Sequence, residues 1–523
     1  MLSAAATCQS PRTAAAGTSD RARASLAALV CGIALIGGFA PASYAIPGQP
    51  GTLDASWATL SPLGAGKLIT PIGTGDDAIT AVALQPNGKV VGAGYCWNGN
   101  NMDFCLARYN ANGTLDTGFN GNGKVITTIG AGHDFAFALA LQPDGKAIVA
   151  GECAVASSSN FCLARFTAGG VLDTSFGSAG IVITPMGANG EQATSLAVQT
   201  DGKIVVAGGC SNGSSFAYCV ARYNANGALD ASFNGTGKVI TAMGSGGSAS
   251  ALAVQPDGKI VVAGSCSNGG NSDFCLARYT ASGALDPTFG SNGKVITAIG
   301  ASNDTASALA LQPDGKIVVA GTCVVASTET HFCVARYGDA GALDTTFGGG
   351  GTVITTFGLI DTASALALQA DGKIVVAGDC PGVNNADYCL ARYNANGDLD
   401  ASFGSGGKVT TAIGSDVDRA SALAVQPDGK IVVAGYCRNG SNYDFCVARY
   451  EGGPFDAQNC KLDLDGDGVV LATTDALILA RVSLGLTGNA VIGGIAFASH
   501  ASRQTWADIR TYLVTQCGLS IAP

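Results

Sequence analysis

The sequence predicts a mainly β fold, a seven-bladed β-propeller of four-stranded blades, followed by a small α-helical calcium-loop domain. Three recurring motifs predict it. Gln-Pro-Asp-Gly-Lys, or a close variant, places its Gly at Gly88, Gly145, Gly202, Gly258, Gly315, Gly372 and Gly429, in steps of 57 or 56 residues. Leu-Asp-x-x-Phe places its Asp at Asp54, Asp116, Asp173, Asp230, Asp286, Asp344 and Asp400; the first copy has Trp57 for Phe and a longer loop after it. Cys-Leu/Val-Ala-Arg-Tyr/Phe places its Arg at Arg108, Arg165, Arg222, Arg278, Arg336, Arg392 and Arg449. All three count seven, and no half-unit is left over.

The chain opens with an export signature. Arg12, Arg21 and Arg23 precede an apolar run from Ala24 to Ala40, and small residues at Ser43 and Ala45 offer a cleavage site before Ile46. A signal peptide over residues 1–45 is therefore expected. The competing membrane anchor fits less well, because Gly32, Gly37 and Gly38 break an already short run. Leu29 and Val30 before Cys31 are not the small residues that precede a lipidated cysteine. No later stretch is long enough to span a bilayer, so no span is expected after cleavage.

Residues 46–453 hold the repeats. In the fifth copy, Lys294–Ile299 is β-branched and apolar, and Ala306–Gln312 alternates small and apolar residues. Pro313-Asp314-Gly315 is a tight turn. Ile317–Ala320 is a continuous apolar run, the pattern of a strand buried on both faces, and His331–Tyr337 is the fourth strand. Such a unit buries its faces only by stacking on copies of itself, in an open solenoid or a closed ring. The long period, the number seven and the lack of atypical capping copies favour the ring. Blade phase stays open. Either the Leu68-Ile69 strand completes the last blade and the termini latch the ring, or each blade is contiguous.

Cysteines fall one pair to a unit: Cys96 with Cys105, Cys153 with Cys162, Cys210 with Cys219, Cys266 with Cys275, Cys323 with Cys333, Cys380 with Cys389, and Cys437 with Cys446. One ends the third strand of the unit and the other opens the fourth, positions that face each other in a hairpin, so seven disulfides are expected. Zinc would need other spacing and more histidine. Cys8 and Cys31 lie in the removed segment, leaving an even sixteen.

Gln-Pro-Asp-Gly-Lys-Ile-Val-Val-Ala-Gly, Ala-Arg-Tyr-Asn-Ala-Asn-Gly and Leu-Asp-x-x-Phe-Gly-x-x-Gly-Lys-Val closely resemble the delta-60 repeat family of bacterial extracellular proteins, over about residues 53 to 450. The resemblance implies a propeller-like protein, secreted or at the cell surface; the export signature leaves the periplasm as the other compartment. The resemblance implies no activity, since the family has no assigned catalytic residues. The paired cysteines are not a general feature of it.

After Gly452-Gly453-Pro454 the pattern changes, and residues 454–523 read as a separate domain. Asp463, Asp465 and Asp467 alternate ahead of Gly468, Val469 can add its backbone carbonyl, and Asp475 can close the site from a helix over 476–486. Calcium takes six to eight oxygens, and such a loop converges them. The loop resembles a dockerin calcium half-site, which makes calcium the expected cofactor. It departs from dockerins in two ways: the closing acid comes one position late, and the second calcium repeat is missing, with an amphipathic helix over 506–517 instead. The departures put cohesin recognition in doubt. A solvated acidic turn is the bland alternative. Cys460 and Cys517 would staple this domain.

No catalytic set stands out. The Arg, Asp and Lys common to every unit are expected to serve the blade. Function is expected where the repeat breaks, in the loops between paired cysteines: Trp97–Asn100, Ala154–Asn160, Pro381–Asn384 and Arg438–Gly440. Asp77, Asp134, Glu191, Asp304, Asp361 and Asp418 precede the second strand of six units. They would either ring a channel mouth and hold a cation, or start strands in solvent. His133, His331 and His500 show no ligand spacing, and Gly209-Cys210-Ser211-Asn212-Gly213 lacks the helix a nucleophile elbow needs. A net charge of −10 with no basic run excludes a nucleic-acid partner. The expectation is a secreted, non-catalytic, monomeric binding or surface-interaction protein whose partner is an extracellular glycan or protein. The alternative is a secreted enzyme acting on polysaccharide or another extracellular substrate.

Overall fold

The structure, a computed structural model, describes residues 49–453 except 156–157, 188–189, 327 and 383–384, together with 478, 492, 495 and 505–515. The expected signal peptide, the calcium loop Asp463–Asp475 and the staple between Cys460 and Cys517 lie outside the described residues. Within the expected C-terminal domain, Trp506–Thr515 is a helix.

The described strands form seven antiparallel four-stranded sheets. In six of them the strands run inner, second, third and outer in sequence order. Blade one is Asp77–Leu84, Val90–Trp97, Met102–Tyr109 and Lys124–Thr127. The seventh sheet settles the phase. Its inner three strands are Asp418–Val425, Ile431–Asn439 and Asn442–Tyr450, and its outer strand is Lys67–Thr70 from the other end of the ring. Leu68 pairs with Val447 and Ile69 with Cys446, so the termini latch the ring. The Lys294-Val-Ile-Thr segment accordingly closes blade four rather than opening blade five.

Both faces of the second strand are buried, as its unbroken apolar run requires. Ile204 and Val206 pack toward blade two, and Val205 and Ala207 pack toward blade four. The Val-Ala-Gly end of this strand has its own cause. A bulge in each inner strand brings backbone against the glycine; a Cβ at Gly321 would lie 2.0 Å from the Thr305 carbonyl oxygen. At the turn, Gly315 takes φ +86° and donates its N–H to Gln312 O at 2.9 Å.

The repeated Arg, Asp and Phe form one unit of packing. Arg222 Nε donates to Asp230 Oδ2 at 2.8 Å, its guanidinium lies 4.7 Å over the Phe233 ring, and Nη1 reaches Ala281 O of the next blade at 2.5 Å. At the seam the same construction joins the chain ends. Arg449 Nε donates to Asp54 Oδ2 at 2.7 Å, with Trp57 standing in for Phe and Lys430 Nζ 2.7 Å from the same oxygen.

All seven expected disulfides are present, with Cα–Cα distances of 5.8 or 5.9 Å: Cys96 to Cys105, Cys153 to Cys162, Cys210 to Cys219, Cys266 to Cys275, Cys323 to Cys333, Cys380 to Cys389, and Cys437 to Cys446. Their placement corrects the expectation that the two half-cystines face each other at the hairpin end. Each bridge is diagonal. Cys105, Cys162, Cys219, Cys275, Cys333, Cys389 and Cys446 each stand opposite a glycine, respectively Gly94, Gly151, Gly208, Gly264, Gly321, Gly378 and Gly435. Their partners face other residues, as Cys96 faces Asp103 and Cys323 faces His331. The glycine has no side chain in the way, so the cysteine opposite it can lean across to the next position but one. Nor do Cys162, Cys219, Cys333 and Cys389 open their strands; those strands begin at Ser158, Phe216, Glu329 and Asn385. The hairpins therefore run further than the sequence suggests, with Ile317–Ala326 pairing to Glu329–Tyr337 past the disulfide.

Candidate functional site

The ring has two unlike faces. The Asp-Gly-Lys turns and the Arg–Asp lattice occupy one. The disulfide hairpins and the crossings from each outer strand to the next inner strand occupy the other, here the hairpin face. Of the variable loops expected to carry function, those of blades one and seven dock on the neighbouring crossing. Asn101 Nδ2 donates to Gly132 O, Met102 N–H donates to His133 Nδ1 at 3.1 Å, and Tyr443 N–H donates to Asp76 Oδ1 at 3.0 Å.

The six acids at the inner-strand starts are on this face too, but buried rather than solvated. Each accepts backbone N–H groups from its own crossing. Asp77 Oδ2 accepts from Ile72 at 2.6 Å and Gly73 at 2.9 Å. Asp134, Glu191, Asp304, Asp361 and Asp418 repeat this with their own preceding pairs. A crossing leaves amides without sheet partners, and a carboxylate is a strong acceptor for them. The recurrent Gly four residues earlier, or three at Asp361, is the sequence signal for such a loop. The side chains do not converge: among the described residues no group of three or more His, Cys, Asp or Glu could hold a metal ion.

Each acid also faces a third-strand side chain of the preceding blade. His331 Nδ1 lies 3.2 Å from Asp361 Oδ2. The same two positions hold Asp103 and Asp134, Asp273 and Asp304, Asp387 and Asp418, and Asp444 and Asp77 at four other junctions. Asn160 and Glu191 fill another, and Ala217 and Gly247 the last. Where the acid is missing, its counterpart is missing as well. Burial is the main cause that pushes the Asp77 and Asp418 carboxyls up to about 6, aided by Asp444 and Asp387 respectively. Asp134 and Asp304 move in the same direction for the same reasons.

One step along each inner strand the repeat breaks. The residue after the acid position is paired with a second-strand partner, and the seven pairs are all different: Ala78–Tyr95, Phe135–Glu152, Gln192–Gly209, Ser248–Ser265, Thr305–Thr322, Thr362–Asp379 and Arg419–Tyr436. They lie on the two strands nearest the axis, at the mouth of the central channel. Neighbouring pairs touch across the junctions. Tyr95 meets Phe135 edge to face with centroids 4.9 Å apart, and Glu152 hydrogen-bonds the Gln192 side chain.

Six of the seven pairs fall into two arcs, with Gln192–Gly209 of blade three between them. From blade seven to blade two the mouth is aromatic. The His133, Phe135 and Phe137 rings stack at the start of one inner strand at 5.9 and 6.4 Å, with Trp97 6.2 Å from His133. Tyr436 meets Tyr443 at 5.3 Å. From blade four to blade six the paired positions carry only hydroxyls, apart from Asp379. Burial pushes Asp379 up to about 6 against the pull of Arg419. Phe137 occupies the bulged position, where the other blades have Thr80, Thr194, Ser250, Ser307, Ser364 and Ser421. Sequence reasoning missed this ring of pairs, although two variable columns inside otherwise constant strands were the available signal. Ser211 of the Gly-x-Ser-x-Gly match ends a β-strand, next to the disulfide-bonded Cys210.

A separate cleft of about 410 Å³ lies beside the longer loop of the first copy, lined by Leu60, Pro62, Leu68, Tyr109 and others.

The family described as "Domain of unknown function (DUF5122) beta-propeller" matches seven stretches, 85–119, 142–176, 199–233, 255–289, 312–347, 369–403 and 426–452, one for each blade. The chain is a propeller repeat protein. No curated protein matches it. Solved structures similar to this propeller include a catalytically inactive virginiamycin B lyase from Staphylococcus aureus with quinupristin, 11% identical over 73% of this chain and 98% of that one, TM-score 0.44. Another is a polysaccharide lyase, the PL25 ulvan lyase, at 12% identity over 74% and 96%, TM-score 0.45. Sqt1 from Chaetomium thermophilum matches this propeller at 12% identity over 73% and 98%, TM-score 0.40. Among the described residues no helix is long and apolar enough to cross a membrane.

Proposed function

We propose that the chain is a secreted, non-catalytic binding protein that presents the channel mouth of its hairpin face to an extracellular glycan or protein. One observation carries the reading. The blade-building residues repeat seven times, whereas the seven mouth pairs are all different, and an asymmetric ligand needs an asymmetric site. Seven disulfides suit an oxidising compartment, in line with the export signature. The test is retention of the oxidised chain on separated cell-envelope polysaccharide and protein fractions. Retention should fall when Tyr95 and Trp97 are changed to Thr. Unchanged retention would remove the mouth from the proposal.

The C-terminal module would be calcium-stabilised through Asp463, Asp465, Asp467, Val469 and Asp475. Calorimetric titration of the apo chain with calcium checks this, and Asp465→Ala should abolish the heat. A polysaccharide-degrading reading has one observation in its favour: Asp379, a carboxyl poised near pH 6 beside Arg419 at the mouth. Release of oligosaccharides by the parent chain but not by Asp379→Asn would establish it in place of simple binding.

A further inference from the structure

We infer that the mouth takes a carbohydrate, stacked on the aromatic stripe of blade two and hydrogen-bonded by the hydroxyl arc. The inference rests on the mouth being the binding site and commits it to one ligand class.

The stripe is built for contact with something apolar. Phe135 and Phe137, with His133 just ahead of the inner strand, alternate with Asp134, Ala136 and Ala138, which are buried in the blade junctions. The bulge between Ala136 and Ala138 takes Phe137 out of that junction packing. Phe135 and Phe137 are left half-buried, with parallel rings. Six other blades place a small hydroxyl where Phe137 stands, so the blade itself does not call for an aromatic there.

The rest of the wall is mostly hydroxyl-bearing, with Glu152, Asp379 and Arg419 as the charged members of the mouth pairs. Thr80 directs its hydroxyl proton to Ala136 O at 2.8 Å, and Thr194 likewise to Ala249 O at 2.9 Å, but each keeps acceptor capacity. Across the channel, Thr305 and Thr362 stand at the mouth with Ser307 and Ser364 one turn of the pleat deeper. Near the stripe, Glu152 bonds the Gln192 side chain.

A sugar ring matches this division. One face presents C–H groups that pack on an aromatic ring, and its rim carries hydroxyls that must be paired when taken from water. A purely apolar ligand would leave the hydroxyl arc unpaired. A cationic ligand would meet carboxylates and rings, but also Arg419 and Arg438, the latter stacked on Tyr443 at 5.6 Å.

The experiment uses the full oxidised chain and calorimetry with cellohexaose, xylohexaose, chitohexaose, laminarihexaose and choline chloride as probes. At least one hexasaccharide should bind. Phe135→Thr and Phe137→Ser should weaken it about tenfold or more, with the melting temperature held, since other blades already carry Thr or Ser there. Ser364→Ala should weaken it severalfold. Sugar binding that is indifferent to both Phe variants would overturn the inference, as would binding of choline without any hexasaccharide. If no probe binds yet envelope-protein retention still depends on Tyr95 and Trp97, the carbohydrate inference fails and the mouth reading survives. Loss of that dependence as well sinks both.

Discussion

The two faces of the ring are made by the same seven copies and obey opposite rules. On the turn face every blade repeats one arrangement, an Asp held by Arg with an aromatic ring under the Arg, and in six blades the Lys of the turn lies within 4.0 Å of the same Asp. On the hairpin face buried carboxyls meet each other, and beside them the mouth pairs differ at every blade. The turn-face carboxyls are held by cations, whereas the acids at the inner-strand starts of the hairpin face are held by backbone amides. Residues that build the ring cannot vary without loss, so variation collects where packing leaves a side chain free.

The seam offers the largest way to break this comparison. Removing residues 46–70 takes away the outer strand of blade seven together with Asp54 and Trp57. Asn442–Tyr450 then becomes an open edge. The truncated chain should lose its cooperative melt and associate, seen by scanning calorimetry and size-exclusion chromatography. A monomer with the parent's melt would mean the latch contributes little. Arg449→Ala is milder, and leaving Asp54 buried without that partner should cost about 3–5 kcal/mol in urea unfolding. Its equivalent Arg222→Ala should cost a similar amount, because the turn face is one repeated construction.

Single hairpins come next. Changing Cys266 and Cys275 to Ser removes a bridge of sequence separation 9. The expected loss is about 2–3 kcal/mol in denaturant unfolding. An unchanged midpoint would show that strand pairing alone holds the hairpin.

The finest test sets the faces against each other by pH. On the turn face, burial of Asp286 opposes ionisation, but bonds from Thr288 and the charges of Arg278 and Lys259 outweigh it and bring the carboxyl down to about 2. A lowered carboxyl stabilises the fold above its ordinary value near 3.8, and that contribution is lost as pH falls through about 2. Asp418 is raised to about 6, so its contribution is complete below about 3.8 and is lost as pH rises through 6. Asp418→Asn should therefore melt higher than the parent at pH 7 and near it at pH 4. Asp286→Asn should melt lower than the parent at pH 7, with the gap closing toward pH 2. Melting curves from pH 2 to 8 check both, and like-signed slopes would dissolve the distinction between the faces.

Much of the fold is legible in the residues alone. Repeat number, strand content, the tight turns and the cysteine pairing all follow from local patterns, since the bonded cysteines of a hairpin lie 9 or 10 residues apart. The register of those hairpins is less so: that Cys162 or Cys219 stands opposite a glycine rather than its bonded partner depends on how far the strands run. The Ile-Gly-x-x-x-Asp spacing is visible as well, but its purpose is not. Whether Asp134 starts a strand in water, holds a cation or caps a crossing depends on which amides lie nearby, and spacing does not show that.

Periodicity determined that this chain is a ring of seven and which residues build each blade, because identical copies must bury identical faces. It was silent on where one blade ends, since a repeat reads the same from any starting point. Tertiary structure decided that the chain ends share the last sheet. It also gathered the odd residues of distant copies, Tyr95, Phe135, Asp379 and Arg419 among them, around one channel mouth. Closing the ring makes them neighbours although up to 324 residues separate them (419 − 95).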